Sequence, residues 1–215
     1  MKALSLLLCA GLLAGVAQAG GGPRAPTVLT LNDTGCRPTI GRVVFGLTPD
    51  PAASAQLAQI VQADQAARTG NPAQMDWKAL AAQDEARRVQ TLALLRSGRL
   101  GSARDAFSAA LVFQHGDCSA HYQLAHWLAA QALAQGGIRE AGWLYGATFD
   151  RWQMSLGRPQ RYGTQFVEVR PCDIQLAPVA AGTTDRERER LGIPALGLAR
   201  AQADILSDRC RRGLP

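Results

Sequence analysis

The chain has 215 residues, 47% hydrophobic and 19% charged, with a net charge of +6 at pH 7. That composition excludes a disordered polar chain and is long enough for one domain, or two small ones, with a real core. The positive balance does not point to nucleic acid: 21 of the 23 basic residues are arginines spread along the chain. No basic stripe interleaved with aromatics occurs and no known nucleic-acid motif is present, so no nucleic-acid partner is expected.

The N-terminus reads as a secretory signal. Lys2 is followed by an apolar run from Ala3 to Val16, and Ala17-Gln18-Ala19 offers small residues at the cleavage positions. The run is short for a membrane span. Cys9 follows Leu6-Leu7-Leu8, without the small residue a lipid-attachment site needs. Cleavage after Ala19 is therefore expected, with a periplasmic or secreted location and no membrane association afterwards. The mature chain keeps Cys36, Cys118, Cys172 and Cys210. An even count in an oxidising compartment predicts two disulfides, in one of three possible pairings.

After cleavage, residues 20–49 read as an extended arm, with short strands at Thr27 to Leu31 and Ile40 to Leu47. Residues 50–215 read as a helical domain. Asp50 and Pro51 open the first helix, whose apolar face is Leu57, Ile60 and Val61 and whose stop is Gly70. The second is expected from about Met75 to Ser97, with Trp77, Leu80 and Ala81 on one face. The third is expected from Leu100 to Phe113, the fourth from Ser119 to Gln135 with Ser119 as its cap, and the fifth from Arg139 to Leu156. Short extended segments follow at Phe166 to Val169 and Ile174 to Leu176. Thr184 to Glu187 forms a capping box for a short charged helix, read as solvated, and a last helix spans Ala195 to Cys210. The fold class is thus mostly α, built of antiparallel helical hairpins with short β segments.

A shift of 38 residues lays Leu95 on Leu133, Gly98 on Gly136, Leu100 on Ile138, Ala103 on Ala141 and Phe107 on Tyr145. The repeated helix, glycine turn and helix resemble tetratricopeptide-type and Sel1-type hairpins.

Three groups of residues offer chemistry. His115, Cys118, His121 and His126 carry nitrogen and sulfur donors, but His121 and His126 are five apart and diverge on a helix. No metal site and no cofactor is expected, with His115, Cys118 and His121 as the alternative metal set. The loop after the fifth helix, Gly157 to Gln165, is dense in polar side chains, and Arg158 and Arg161 could grip an anion. Asp64 with Arg68, and Asp84 with Arg88, have the spacing of pairs along a helix, worth a few tenths of a kcal/mol each. Recognisable serine-hydrolase, zinc-protease, phosphate-loop and thioredoxin motifs are absent.

The order Asp64-Gln65-x-x-Arg68, then Phe113-Gln114-His115-Gly116, Asp150-Arg151 and Gly157-x-Pro159-Gln160-Arg161-Tyr162-Gly163-Thr164-Gln165 resembles an uncharacterised bacterial helical family. Its hallmark is a glutamine–histidine step followed by a YGTQ-like loop. The resemblance covers Asp64 to Phe166 and implies an architecture and candidate positions rather than an activity. It implies one site containing His115, Asp150, Arg151, Gln160, Arg161 and Gln165. The expectation is a binding module that takes a peptide, a protein or a small polar ligand through Arg151, Gln160, Arg161, Tyr162, Thr164 and Gln165. The rivals are a hydrolase with His115 and Asp150 as base and orienter, and a purely structural protein.

Overall fold

The computed structural model describes residues 25–70 and 74–214, together with the backbone of Ala3–Leu4. The expected signal peptide lies outside the described residues apart from that strand, β1, which runs antiparallel beside Phe166 and Val167. The described residues are mostly helical with two small antiparallel strand pairs.

Strands β2 (Thr27–Leu31) and β3 (Gly41–Phe45) form a hairpin, with Leu29 opposite Val43. Its inner side chains are not an isolated arm: Ile40, Val43 and Phe45 belong to the same buried core as the helices. The chain leaving the hairpin runs along the next helical turn, where the N–H groups of Gly46, Thr48 and Asp50 donate to the carbonyls of Leu100, Gly98 and Arg99. Arg96 adds bonds to the Thr39 and Ile40 carbonyls.

Helix α1 (Pro51–Ala66) starts as the sequence predicts: Asp50 accepts from the Ala52 N–H at 2.9 Å, satisfying an orphan donor of the first turn. It ends before Gly70, at an Ala67 cap. Helix α2 (Trp77–Arg96) is capped by Asp76, and its first turn departs from expectation, because Trp77 is 46% exposed while Leu80 is buried. Helix α3 (Ala103–Phe113) begins later than predicted, since Ser102 and Asp105 form a reciprocal capping box that fixes its first turn. Helix α4 (Ser119–Gln135) has the predicted span, but its cap is Cys118 rather than Ser119, with no side-chain capping bond. Helix α5 is Ala141–Ser155.

The two turns matched by the internal repeat are alike: Gly98 and Gly136 both have positive φ, 70° and 75°. A glycine at positive φ in each lets the chain reverse without a Cβ penalty. Helices α3, α4 and α5 then pack antiparallel through small residues, and Ala106, Ala109, Ala110, Ala125, Ala129 and Ala132 are all fully buried.

A second, smaller unit follows α5. Strands β4 (Phe166–Arg170) and β5 (Asp173–Leu176) make a hairpin, turned at Cys172 in a left-handed conformation. Helix α6 (Asp185–Arg190) has the predicted Thr184–Glu187 capping box. Helix α7 (Leu196–Arg211) lies on the hairpin over a small core of Phe166, Ile174, Ala203 and Leu206.

Cysteine pairing is resolved by the fold. Cys36 joins Cys118 across 82 residues, tying the β2–β3 loop to the start of α4. Cys172 joins Cys210 across 38, tying the β4–β5 turn to the end of α7. On a loop-entropy argument these closures contribute about 4 kcal/mol or more each. Among the described residues no helix is long and apolar enough to cross a membrane.

Candidate functional site

The candidate residues fall in two hydrogen-bonded groups, one around Asp150 of α5 and one around His115. Asp150 is fully buried and turned toward the loop after α5. One carboxylate oxygen accepts the N–H groups of Arg161 and Tyr162, at 2.7 and 2.8 Å. The other accepts the N–H and hydroxyl of Thr164, at 3.0 and 2.8 Å. Burial pushes this carboxyl above the usual carboxylate range, and the bonds from Tyr162, Thr164 and Arg161 hold it back.

Gln160 completes the loop. Its backbone bridges to Pro178 and Ala180, while its carboxamide donates to the Gln165 and Ala177 carbonyls and accepts from the Gln165 N–H. The side chain thus occupies the place of a strand's peptide group, which explains an amide that is completely buried. Gly163, at φ 76°, lies against Leu196. Arg161 is the exposed member, 5.3 Å over the Tyr162 ring and 3.7 Å from Glu187.

Of the ligand-binding candidates, then, Gln160, Tyr162, Thr164 and Gln165 make internal bonds, and Arg161 alone stands well out into solvent. Arg188 reinforces the loop from behind, donating to the Tyr162 and Thr183 carbonyls and to Asp185. It is 2% exposed, so the solvated face expected for α6 fails at this residue.

The second cluster gathers around His115. Its Nδ1 lies 3.2 Å from Asp64 at the end of α1, and not against Asp150, whose oxygens are occupied by the loop. The orienter expected for His115 is therefore replaced by Asp64. Arg68, just past the end of α1, donates to the Asp64 carboxylate at 2.9 Å and to Asp84 at 2.7 Å, so it links α1 to α2. Asp84 is bound by Arg68 and Arg87, while Arg88 turns away from its expected partner. It donates to the His115 carbonyl and to Asp117 instead. The Tyr122 hydroxyl donates to the Gly116 carbonyl at 2.6 Å. Gly116 is required here, since a Cβ would strike His121.

Electrostatics in this cluster run against each other. Burial lowers the His115 pKa, opposed by Asp64, with the Arg68 and Arg151 charges adding to the decrease. Burial alone would raise Asp64, but His115, Arg68 and Gln65 together bring it below the usual range. Burial lowers the Arg151 pKa, with Tyr122 and Asp150 opposing the decrease and Arg68 adding to it. Of the residues implied by the family resemblance, Asp150, Gln160, Arg161 and Gln165 are bonded together in the loop after α5, His115 is bonded to Asp64, and Arg151 feels the charge of Asp150 and acts on His115.

The other two histidines diverge. His121 sits on the Pro38 carbonyl, and His126 bonds the Tyr145 carbonyl among the rings of Tyr145, Phe149 and Trp152. The alternative metal set is rearranged accordingly, because Cys36, not His115, approaches Cys118 and His121.

A further cavity lies beside the first cluster and shares Ala177 and Arg188 with it. It is a groove of about 820 Å³ between β5, the 177–183 segment and α7, and Leu176, Val179, Arg200, Ala203, Asp204 and Arg211 are among its lining. Its volume is that of an ordinary ligand site. The sequence carries no mark of it, since its walls come from two stretches joined only by folding. Arg188 carries no mark in the sequence, and Arg88 is paired there with the wrong carboxylate, because a buried arginine looks like a surface one until its carbonyl partners are in place.

None of the family models, curated proteins or solved structures compared with this chain matches it.

Proposed function

We propose that this is an exported binding protein that holds a polar ligand in the groove between β5, the 177–183 segment and α7. The observation that carries the reading is the anchoring of that segment: Gln160 bonds to Ala177, Pro178 and Ala180, so one wall of the groove is held by the RYGTQ loop. A wall fixed before binding lowers the ordering cost on association. The lining mixes apolar Leu176 and Val179 with charged Arg200, Asp204 and Arg211, which suits a peptide or small molecule bearing charged groups. Export through a signal ending at Ala19, to the periplasm or beyond, is supported by the two cysteine pairs.

The test is thermal stability of the oxidised chain against a panel of metabolites and short peptides, in wild type and in Arg200→Glu/Arg211→Glu. Both arginines are exposed, so the variant keeps its fold. A compound at 100 times its Kd stabilises the wild type by about 2.7 kcal/mol and leaves the variant unmoved. Equal protection of both proteins would place the ligand elsewhere.

A second reading, hydrolysis with His115 as general base, is supported by one contact, the 3.2 Å approach to Asp64. Asp64 would orient the ring and stabilise its protonated form. Ester, peptide and phosphoester turnover that is lost in His115→Ala, in a chain that remains folded, would favour it over the binding reading.

A further inference from the structure

Two short pairs of donor residues, far apart in sequence, meet at the start of α4. Asp33 and Cys36 lie three apart in the β2–β3 loop, and Cys118 and His121 lie three apart at the entry to α4. On a helix that spacing puts the second pair on one face. The two sulfur atoms and one His121 ring nitrogen all fall within 4.8 Å of one another, in buried or half-buried surroundings. An Asp33 carboxylate oxygen lies 3.9 Å from the Cys118 sulfur, and a hollow of about 340 Å³ opens beside Asp33 and Ser119.

His121 is oriented as a metal-binding imidazole should be. Its Nε2 is 3.0 Å from the Pro38 carbonyl, which can only accept, so the ring hydrogen sits on Nε2 and Nδ1 keeps its lone pair. A ring N–H bonded to a backbone carbonyl is the usual outer support of a metal-ligating histidine. Nδ1 at present accepts a long bond from the Asp117 N–H at 3.4 Å and lies 3.1 Å from an Asp117 carboxylate oxygen, with Arg88 on that residue's other oxygen, so a metal ion at Nδ1 takes the place of the Asp117 N–H. Two sulfurs, one imidazole and a neighbouring carboxylate are the donor set of a tetrahedral site for a borderline divalent ion such as zinc.

We propose that the Cys36–Cys118 pair has a second state, in which the two thiolates and His121 bind a zinc-like divalent cation with its fourth position open toward Asp33. The disulfide and the metal site exclude each other. A dithiol reductant delivers two electrons and two protons, leaves as its own disulfide, and turns Cys36 and Cys118 into thiols. The cation then displaces both thiol protons to solvent. Metal held in this way keeps the α4 entry tied to the β2–β3 loop when the covalent tie is open, and protects both sulfurs from reoxidation.

The experiment is an anaerobic cobalt(II) titration of the whole chain, oxidised and after phosphine reduction. Cobalt reports thiolate charge-transfer and tetrahedral ligand-field bands, and zinc should displace it. The reduced chain is expected to bind one cobalt with both bands, and the oxidised chain none. Cys172→Ser/Cys210→Ser should retain the bands, and Cys36→Ser/Cys118→Ser should lose them. X-ray absorption at the zinc edge of the reduced wild type should give two sulfur ligands and an imidazole, which removes any dependence on a variant's folding. Reduced wild type without tetrahedral bands, bands that persist without Cys36 and Cys118, or a zinc shell lacking sulfur would each overturn the proposal.

Discussion

At the scale of single residues, the molecule is organised by side chains that substitute for backbone. Asp150 accepts four donors from one loop, and Gln160 stands in for a strand residue between Gln165 and Ala177. Four donors around one buried carboxylate predict a sharp response to Asp150→Asn. The amide nitrogen must face N–H or O–H groups on one side, which leaves buried donors unpaired. The expected loss is about 2–3 kcal/mol of unfolding free energy, read from urea denaturation. A loss below about 0.5 kcal/mol would mean that water replaces the carboxylate there. Arg68, between Asp64 and Asp84, does comparable work for α1 and α2, since either carboxylate without it is a buried charge short of a partner.

At the scale of elements, α5 is the spine on which the later chain closes. Its small residues admit the 191–193 segment: a Cβ at Gly142 would come within 2.6 Å of the Leu191 carbonyl oxygen, and one at Gly146 would meet the end of the Ile193 side chain. These contacts differ in kind. Backbone at Leu191 cannot retreat without moving the chain between α6 and α7, whereas the Ile193 methyl can rotate. Alanine also gains about 1 kcal/mol of helix propensity over glycine at either position. Gly142→Ala should therefore destabilise by about 1–3 kcal/mol, and Gly146→Ala by clearly less. Calorimetric melting of both variants checks the order, and a reversed order would mean that the Leu191 turn is the more adaptable of the two. The same elements explain why the β4–β5 and α7 unit carries its own disulfide, since only four buried apolar residues lie between hairpin and helix.

At the scale of the whole molecule, buried histidines couple folding to pH. Burial lowers the pKa of His115, opposed by Asp64, and that of His126, opposed by the Tyr145 carbonyl. The unfolded chain takes up protons near the ordinary histidine pKa of about 6.5, while the folded chain refuses them, so stability falls as pH drops through that range. Asp64, held low, contributes fully above the ordinary carboxylate range and loses that contribution as pH falls from there through its own lowered value, below the histidine window. Asp150, raised by burial, works in the opposite sense, also toward the acid end. The melting temperature should therefore be lower at about pH 5.5 than at about pH 7.5, by about 2–4 °C for each kcal/mol lost. A flat profile would mean that the buried histidines are protonated in the folded state as readily as in the unfolded one.

What the amino-acid sequence determined by itself is the local part of this protein. Helix α4 has its predicted span, Asp50 and Thr184 cap as read, and strands β2, β4 and β5 fall within a residue or so of their predicted segments. Periodicity, capping hydrogen bonds and glycine turns act over a few residues, so they are legible in one dimension. The candidate site was legible as a set of residues but not as an arrangement. His115 and Asp150 both look like parts of one site in sequence, yet Asp150 is taken up by the loop after α5 and His115 by Asp64. Only the packing of α1 against α3 brings Asp64 to His115, 51 residues away, and only closure of α4 on the β2–β3 loop chooses one cysteine pairing out of three. Such contacts depend on where helices cross, which is settled by the shapes of buried faces across the whole chain.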